Sequence, residues 1–369
     1  MVYFFDKRII SHFNYELIIL VLPLVFFSHY IVGEISEMLA NKQVIYFSLS
    51  FFSFIAVFLI PFRKLTSLIP VLYWIGIILL LCVEFFGVTK LGATRWVHIP
   101  LTHLTIQPSE LFKPAFLLML GYLIKDKPPQ KGGYNIKEFI YFSFYILLPF
   151  ILIAKEPDLG TALVLLLVGY GVLFLVGIQW KILASIALVL AICSPIVYTY
   201  LIKDYQKKRI EDFVSKEPSY QVKQSLIAIG SAGLFGKSKQ DATQVQLKFL
   251  PIATSDFIFA SFIERYGFLG AFGLIFLYII LIVHLLLLYV HYKHDFLISV
   301  FSAALGLLLF LDMSVNILMV IGFAPVVGLP LPLFSYGGSS FINFIVLFAI
   351  LENLIAFRFV DSYNFIRKI

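Results

Sequence analysis

The 369-residue sequence predicts an all-α polytopic membrane protein with about ten transmembrane helices and a large extracytoplasmic loop between spans seven and eight. Hydrophobic residues make up 61% of the chain and charged residues only 13%. Soluble globular chains are about 45–50% apolar and about 25% charged. The apolar runs mostly reach the roughly 20 residues that a helix needs to cross a bilayer. They do not alternate as membrane β-barrel strands do, for example over residues 272–289.

Ten apolar runs define the predicted spans in chain order. They cover residues 15–32, 44–62, 65–86, 109–124, 139–154, 161–177, 182–201, 257–289, 296–321 and 339–357. We expect one transmembrane domain over residues 1–369, with residues 203–256 as an extracytoplasmic loop within it. Prolines in or beside several spans predict kinked helices.

Lysine and arginine distribution predicts the orientation of these spans. With the N-terminus in the cytoplasm, the short inner connections hold thirteen of these residues and the short outer ones hold four. Basic residues gather on the cytoplasmic side of membrane proteins, so we expect both termini inside and residues 92–110, 155–161 and 322–338 outside. The net charge of +7 suits anionic membrane lipids, and we expect no nucleic acid as a partner.

Asp256 is the first candidate functional residue. It stands where the long polar loop enters the apolar run that begins at Phe257. A carboxylate in a membrane span costs roughly 2.5–3.5 kcal/mol at the bilayer centre, and less near the interface, unless it is hydrated, paired or used. Asp256 is therefore a candidate catalytic group, and the alternative is a hydrated acid at a helix start.

A glutamate and a lysine stand one turn apart at the start of the fourth predicted span. The pair Glu110–Lys113 could line a polar cavity and neutralise a phosphate, since an unpaired cation is disfavoured inside a span. Arg95, beside Trp96, could bind a headgroup or a carbohydrate. The alternative is structural: Ser109 and Glu110 cap the helix, and Arg95 with Trp96 anchors the chain at the membrane interface.

Two further stretches lie on the same predicted face. Glu156 and Asp158 follow Lys155 just before a span, where acids either stabilise a helix N-terminus or position a substrate. Ser339 follows a pair of glycines at the start of the last span. Glycines and prolines interrupt the helix before it, and irregular backbone at that depth is tolerated where it lines a cavity or is buried in protein.

Several classes of site are excluded by spacing. His98 and His103 lack the spacing of a recognisable metal site, and we expect no metal-ligating residues. The sequence Gly236-Lys237-Ser238 is not a phosphate-binding loop, because Ser231 stands where that motif needs its first glycine.

Six motifs in this chain closely resemble those of the SEDS (shape, elongation, division and sporulation) family. They occur in the order of the family and extend across the chain. The motifs are GATRW, QPSELFK, EPDLGTAL, YQVKQSLIAIGSAGLFGKS, LPIATSDFIFA with ERYG, and PVVGLPLPLFSYGGSS.

The resemblance implies a polytopic glycosyltransferase that polymerises lipid II, the lipid-linked peptidoglycan precursor, in the cytoplasmic membrane of a bacterium. It places the family's catalytic aspartate on Asp256 and its cavity glutamate and lysine on Glu110 and Lys113. The compact termini favour an elongation-type over a division-type member. A class B penicillin-binding protein, a transpeptidase, and other elongation-complex membrane proteins are the implied partners. No cofactor is demanded, although a divalent cation (magnesium or manganese) could share the diphosphate charge.

Two alternatives to this interpretation belong to other functional classes. One is a flippase that transports lipid II, which should carry charged residues through the full membrane depth; here they cluster on the predicted outer face. The other is a scaffold that holds a partner. The chain also departs from the frequent family pattern LPEAHTDFIFA: Ile252, Thr254 and Ser255 replace Glu, His and Thr.

Overall fold

The computed structural model describes residues 7–90, 93–98, 105–130, 132–156, 158–182, 218–247 and 249–358, with residues 184–186, 188, 207, 211 and 213. Within these residues, eight helices are long and apolar enough to cross a membrane. This confirms the predicted all-α polytopic fold class. The exact number of spans stays a prediction. The fourth predicted span is a helix, Pro108–Asp126, that is not among the eight, and most of the seventh, residues 182–201, lies outside the described residues.

The described elements alternate along the chain between long helices and short connections. The first seven helices are α1 (Lys7–His12), α2 (Tyr15–Ile35), α3 (Glu37–Phe58), α4 (Ile69–Phe86), α5 (Pro108–Asp126), α6 (Ile136–Lys155) and α7 (Leu159–Val176). The remaining ones are α8 (Tyr220–Ser231), α9 (Thr243–Gln246), α10 (Ile258–His291), α11 (Phe296–Val320) and α12 (Gly338–Ala356). A short 3-10 helix, Thr66–Leu68, precedes α4.

The connection between α4 and α5 contains a small antiparallel sheet that the sequence analysis did not predict. Its strands are β1 (Gly87–Lys90), β2 (Ala93–His98) and β3 (Thr105–Ile106), in the order β1-β2-β3. Short runs of β-branched residues form these strands, and such short runs carry a weak signal next to long apolar helices. The sheet leads from α4 into α5.

Helix α11 is the central element of the bundle. It packs against α5, α7, α10 and α12. Small residues on α11, including Ala303, Ala304 and Gly306, allow neighbouring helices to approach closely. Helix α5 is also largely buried although it carries charged residues. The two helices therefore bring polar groups together inside an apolar bundle.

The segment between α8 and α10 is tied to α10 at a kink. Gly267 has φ 66° and ψ −164°, which interrupts the helical geometry of α10. The Glu264 carboxylate accepts hydrogen bonds from the backbone N–H groups of Gln244 (3.0 Å) and Val245 (3.2 Å). The Phe268 N–H donates to the Gly233 carbonyl at 3.0 Å. These bonds fix the segment that leads towards Asp256.

Helix α8 is amphipathic. Val222, Ser225 and Ala228 are buried at helical spacing, and the helix packs against α10 and α11. The Ser225 hydroxyl donates to the Val320 carbonyl at the end of α11 (2.7 Å). Tyr220 and Ile227 are exposed on the other side.

Glycine substitutions test the attachment of this segment. Gly236 has φ 80°, and a Cβ there would overlap the backbone of Arg265. We expect Gly236→Ala to lower the thermal unfolding midpoint and to speed trypsin cleavage at Lys237 and Lys239. Gly233→Ala should lower the midpoint less, because Gly233 has φ 62° but free space around it; its cost should be about 1–2 kcal/mol.

The matched control is Gly230→Ala in α8. Gly230 has free space around a Cβ, so alanine should leave the protein equally stable or more stable, by up to about 1 kcal/mol. Equal effects of all three substitutions would contradict the docking described above.

Candidate functional site

Two loops at one end of the bundle are bonded together. One leads into α10 and carries Asp256; the other, residues 321–337, leads into α12 and is non-helical, as its glycines and prolines predict. The Tyr336 N–H donates to the Thr254 carbonyl (2.8 Å), and the Ser335 hydroxyl donates to the Ser255 carbonyl (2.7 Å). The backbone on both sides of the joint is therefore fixed.

The side chain of Asn316, on α11, is hydrogen-bonded to both loops. Its side-chain amide is fully buried and donates to the Asp256 carbonyl (2.9 Å) and to the Leu329 carbonyl (2.7 Å). Buried carbonyl groups that lose their donor cost about 1–3 kcal/mol each. Asn316 therefore sets the position of the main chain at Asp256.

The Asp256 side chain is half-buried. Its Oδ1 accepts a hydrogen bond from the Ser255 hydroxyl (2.7 Å). Gly328, with φ 74°, lies beside the other oxygen, and a Cβ added there would be 3.6 Å from Asp256 Oδ2. The glycine lets the backbone pass close to the carboxylate. Ile252, at the start of this turn, has φ 55°, an uncommon conformation for a β-branched residue.

A buried ion-pair cluster lies between α5 and α11. Lys113 Nζ is 2.7 Å from Glu110 Oε1 and 3.8 Å from Asp312 Oδ2. The Asn343 amide of α12 donates to Glu110 Oε2 at 3.5 Å. The Lys113 side chain is only 2% exposed, so one ammonium group faces two carboxylates with little solvent around it. The predicted neighbours Glu110 and Lys113 are in contact.

A second polar cluster surrounds Asp158. This carboxylate accepts hydrogen bonds from Gln107 Nε2 (2.8 Å) and Ser109 Oγ (3.3 Å), and Arg95 Nη1 lies 3.3 Å away. It also accepts from the Thr161 N–H and so caps α7. The structural alternative for Ser109, a capping role at the start of α5, is wrong, because Gln107 occupies the N-cap position and the Ser109 hydroxyl donates to Asp158 instead.

Glu156 lies beside this cluster, between the membrane spans α6 and α7. Its side chain is buried, and neither carboxyl oxygen has a hydrogen-bond partner among the described residues. Burial, reinforced by the neighbouring Asp158 and opposed by Arg95, raises the pKa of the Glu156 carboxyl to about 8. The group therefore holds a proton at neutral pH.

The clusters meet through α11 and residues 327–329. Asp312 and Asn316 are one turn apart on α11, the spacing that places side chains on the same face of a helix. One of them contacts Lys113 and the other holds Asp256. Leu329, which Asn316 also holds, packs against Gly160 at the start of α7, two residues from Asp158.

Some residues discussed from the sequence lie away from Asp256 and Lys113, and some residues of the site were not predicted. Ser339 lies partly exposed in the first turn of α12, and no contact among the described residues joins it to Asp256 or Lys113. His98 is in β2, and His103 lies outside the described residues. The sequence analysis missed Gln107, Asp312, Asn316 and Asn343. Asp312 could have been found, because a lone acid inside an apolar run is a functional signal.

No metal site is preassembled among the residues that the structure describes. They include no group of three or more His, Cys, Asp or Glu side chains arranged to hold an ion. Carboxyl oxygens without partners do occur, on Glu156 and on Asp312. Such hard oxygen donors are the kind that magnesium and manganese prefer.

Comparison with known proteins identifies the family. The profile of the family FTSW_RODA_SPOVE, described as "Cell cycle protein", matches residues 6–359. The chain belongs to the SEDS family. This agrees with the order and spacing of the six motifs.

Curated relatives cover nearly the whole SEDS chain. The "Peptidoglycan glycosyltransferase MrdB" of Helicobacter pylori is 51% identical over 359 residues, 97% of this chain and 94% of the relative. Its Escherichia coli counterpart is 35% identical over 361 residues, 95% of each chain. A relative from Buchnera aphidicola named "Probable peptidoglycan glycosyltransferase FtsW" is 32% identical over 341 residues, 86% of this chain and 82% of the relative.

Solved structures share the same fold. One, described as "Structural coordination of polymerization and crosslinking by a peptidoglycan synthase complex", contains a chain with TM-score 0.79 and 27% identity. The rod shape determining protein RodA of Thermus thermophilus gives TM-score 0.71 and 26% identity. Each comparison covers 94% of this chain and 98% of the other.

The raised pKa of Glu156 predicts a pH-dependent stability difference. Between pH 4.5, its ordinary pKa, and about pH 8, the unfolded chain has lost this proton and the folded chain keeps it. Wild-type stability therefore falls as pH rises through this window. We expect Glu156→Gln to gain in unfolding midpoint relative to wild type from about pH 5 to about pH 8 and to keep a constant difference above it.

The control is Glu37→Gln, an exposed acid at the start of α3 at the same end of the bundle. This variant should not reproduce the trend. A Glu156→Gln difference that is flat across the window would show that the carboxyl is already ionised at neutral pH.

Proposed function

We propose that this chain is a peptidoglycan glycosyltransferase that polymerises lipid II into glycan strands during cell-wall elongation. Its family and the named activity of its MrdB relatives support this function. The observation that carries the proposal is the position of Asp256, a half-buried carboxylate whose backbone carbonyl is held by Asn316. Asn316 is one helical turn along α11 from Asp312, which lies 3.8 Å from Lys113.

The proposed reaction is an inverting transfer in one displacement. The 4-hydroxyl of an acceptor GlcNAc attacks the anomeric carbon of a donor MurNAc, and a new C–O bond forms as the bond to the polyprenyl diphosphate breaks. The diphosphate leaves with the bonding electrons, and the hydroxyl proton goes to a base. Because a diphosphate leaves as an anion, the reaction does not need the second, acidic carboxyl group that glycosidases use.

Asp256 is the proposed base. A general base has to lie within hydrogen-bond reach of the hydroxyl whose proton it takes, roughly 2.6–3.2 Å in a reactive complex. The hydrogen bonds to its own carbonyl and to the neighbouring Ser255 carbonyl fix the backbone from which the carboxylate extends. The carboxylate proposed to accept the proton is thus carried on a fixed backbone.

Lys113 and Arg95 are the proposed contacts of the diphosphate. Cationic groups held in place before the reaction stabilise charge that develops on a leaving group. Glu110 orients Lys113 through the 2.7 Å ion pair. Arg95 is partly exposed, at 20% of its side-chain surface, and its buried Nε has no partner among the described residues. Glu156, Asp158 and Ser339 are proposed to position the sugars.

A divalent cation would fit this site only where the bound diphosphate supplies some of its ligands. The described residues offer single carboxylates and no group of three ligands. Magnesium is commonly held by one or two carboxylates together with substrate phosphates. Magnesium or manganese would supply positive charge to the leaving group there, and Asp312 offers a carboxyl oxygen that has no partner among the described residues.

The proposed setting is the cytoplasmic membrane of a bacterium, with both termini in the cytoplasm and the Asp256 end on the extracytoplasmic face. The distribution of lysine and arginine in the short loops supports this orientation. Both substrates carry long lipids. A cavity that opens sideways into the outer leaflet would admit them without extracting the tails from the bilayer.

The proposed partner is a class B penicillin-binding protein that cross-links the strands, within a larger set of elongation-complex membrane proteins. The similarity to a chain of a peptidoglycan synthase complex supports a pairing of this kind.

Replacement of Asp256 tests the catalytic proposal. Asp256→Asn keeps the size of the side chain and removes its basic oxygen. We expect polymerisation of labelled lipid II by the purified protein to fall by about 10²–10⁴-fold, the usual contribution of a general base. The reaction is run with and without a cognate penicillin-binding protein, and strand length is read on gels.

The matched control is Asp241→Asn, an exposed acid of the same segment that contacts Ser238. It should polymerise at the wild-type rate. Wild-type rates from Asp256→Asn would overturn the assignment of the base. Absence of strands from every variant with the partner present, together with lipid II movement across liposomes, would favour a transporter.

A further inference from the structure

Two carboxylates, Glu110 and Asp312, interact with Lys113 at different distances. Glu110 lies on the same helix, bonds the ammonium at 2.7 Å and has a second partner in Asn343. Asp312 lies across the helix interface on α11, at 3.8 Å, which is beyond hydrogen-bond distance. Its other oxygen, Oδ1, is buried without a partner among the described residues. Glu110 thus anchors Lys113, whereas Asp312 acts on it mainly through charge.

The charges of the cluster do not balance. One ammonium and two carboxylates sum to a net charge of −1 when all three are ionised, and their side chains are between 2% and 8% exposed. Charges interact strongly where water is scarce. A diphosphate that approaches Lys113 therefore meets the repulsion of Asp312 as well as the attraction of the ammonium.

We propose that Asp312 is a positioning residue that competes with the polyprenyl diphosphate for Lys113 and so promotes release of this leaving group after each transfer. The inference rests on the proposed function for the identity of the ligand. When the diphosphate occupies Lys113, the ammonium moves out of the field of Asp312. When the diphosphate departs, Asp312 regains its ion pair.

A competing carboxylate suits repeated transfer. Each transfer leaves one polyprenyl diphosphate in the site, and product release limits the turnover of many enzymes. A lysine with one carboxylate partner would hold the product more tightly than a lysine with two. Asp312 is also one turn from Asn316, so the same helix carries the competing group and the group that holds Asp256.

A double-mutant cycle on binding tests the competition. Polyprenyl diphosphate is titrated into the purified full-length protein as wild type, Asp312→Asn, Lys113→Gln and the double variant. We expect Asp312→Asn to tighten binding by about three- to tenfold, where tenfold corresponds to about 1.4 kcal/mol. Lys113→Gln should weaken binding, and Asp312→Asn should tighten binding much less in its background, because only the direct repulsion between Asp312 and the diphosphate is then relieved.

Kinetic measurements supply a second test, because a purely structural role of Asp312 would not slow product release while leaving the first turnover fast. Asp312→Asn should lower kcat in multiple turnover and strengthen product inhibition, and its first turnover should be at least as fast as that of wild type. Glu352→Gln is the matched control, because Glu352 is a fully buried carboxyl at the opposite end of the bundle. It should leave diphosphate binding unchanged.

The outcomes that overturn the proposal are specific. They are unchanged or weaker diphosphate binding in Asp312→Asn, or the same tightening in the Lys113→Gln background. Asp312→Ser, which is smaller and also uncharged, replaces Asp312→Asn if the latter does not fold, and the same results apply. Because binding is measured without polymerisation, failure of the proposed activity is distinguishable from failure of the competition.

Discussion

One buried amide sets the geometry of the site. Asn316 has no access to water, and its two donated hydrogen bonds join the loop before α10 to the loop before α12. Inside a membrane protein, non-helical backbone persists only where its polar groups are satisfied. The position of Asp256 and the packing of Leu329 on α7 both depend on this contact, because Asn316 donates to both backbone carbonyls. Residues 327–329 lie between the Asp256 carboxylate and the start of α7, close to the Asp158 cluster.

Electrostatic balance is the second constraint. Among the described residues of the site, carboxyl groups outnumber cations, yet the proposed substrate is itself an anion. The carboxyl groups are those of Glu110, Glu156, Asp158, Asp256 and Asp312, and the cations are Arg95 and Lys113. The structure moderates this excess by holding a proton on Glu156 and by pairing Asp158 with Arg95. Under the proposed function, the remaining negative charge would weaken binding of the diphosphate, which would favour its release after every sugar addition.

The sequence predicts the polytopic fold and the principal candidates because charged residues stand out against long apolar runs. Asp256 and the Glu110–Lys113 pair are visible in this way. The partners on α11 are not, because the roles of Asp312 and Asn316 depend on which helices become neighbours. The strands β1 to β3 were missed because two to six residues give little periodicity. The alternative that Ser109 caps α5 was wrong because its hydroxyl donates instead to Asp158, which is distant in sequence.

The most direct test of the account is an experimental structure of the protein with a non-transferable lipid II analogue and an acceptor strand bound. The acceptor hydroxyl should lie roughly 2.6–3.2 Å from an Asp256 carboxylate oxygen. The diphosphate should contact Lys113 and Arg95. A complex in which the sugars lie away from Asp256, or in which the diphosphate occupies the place assigned to the acceptor, would contradict it.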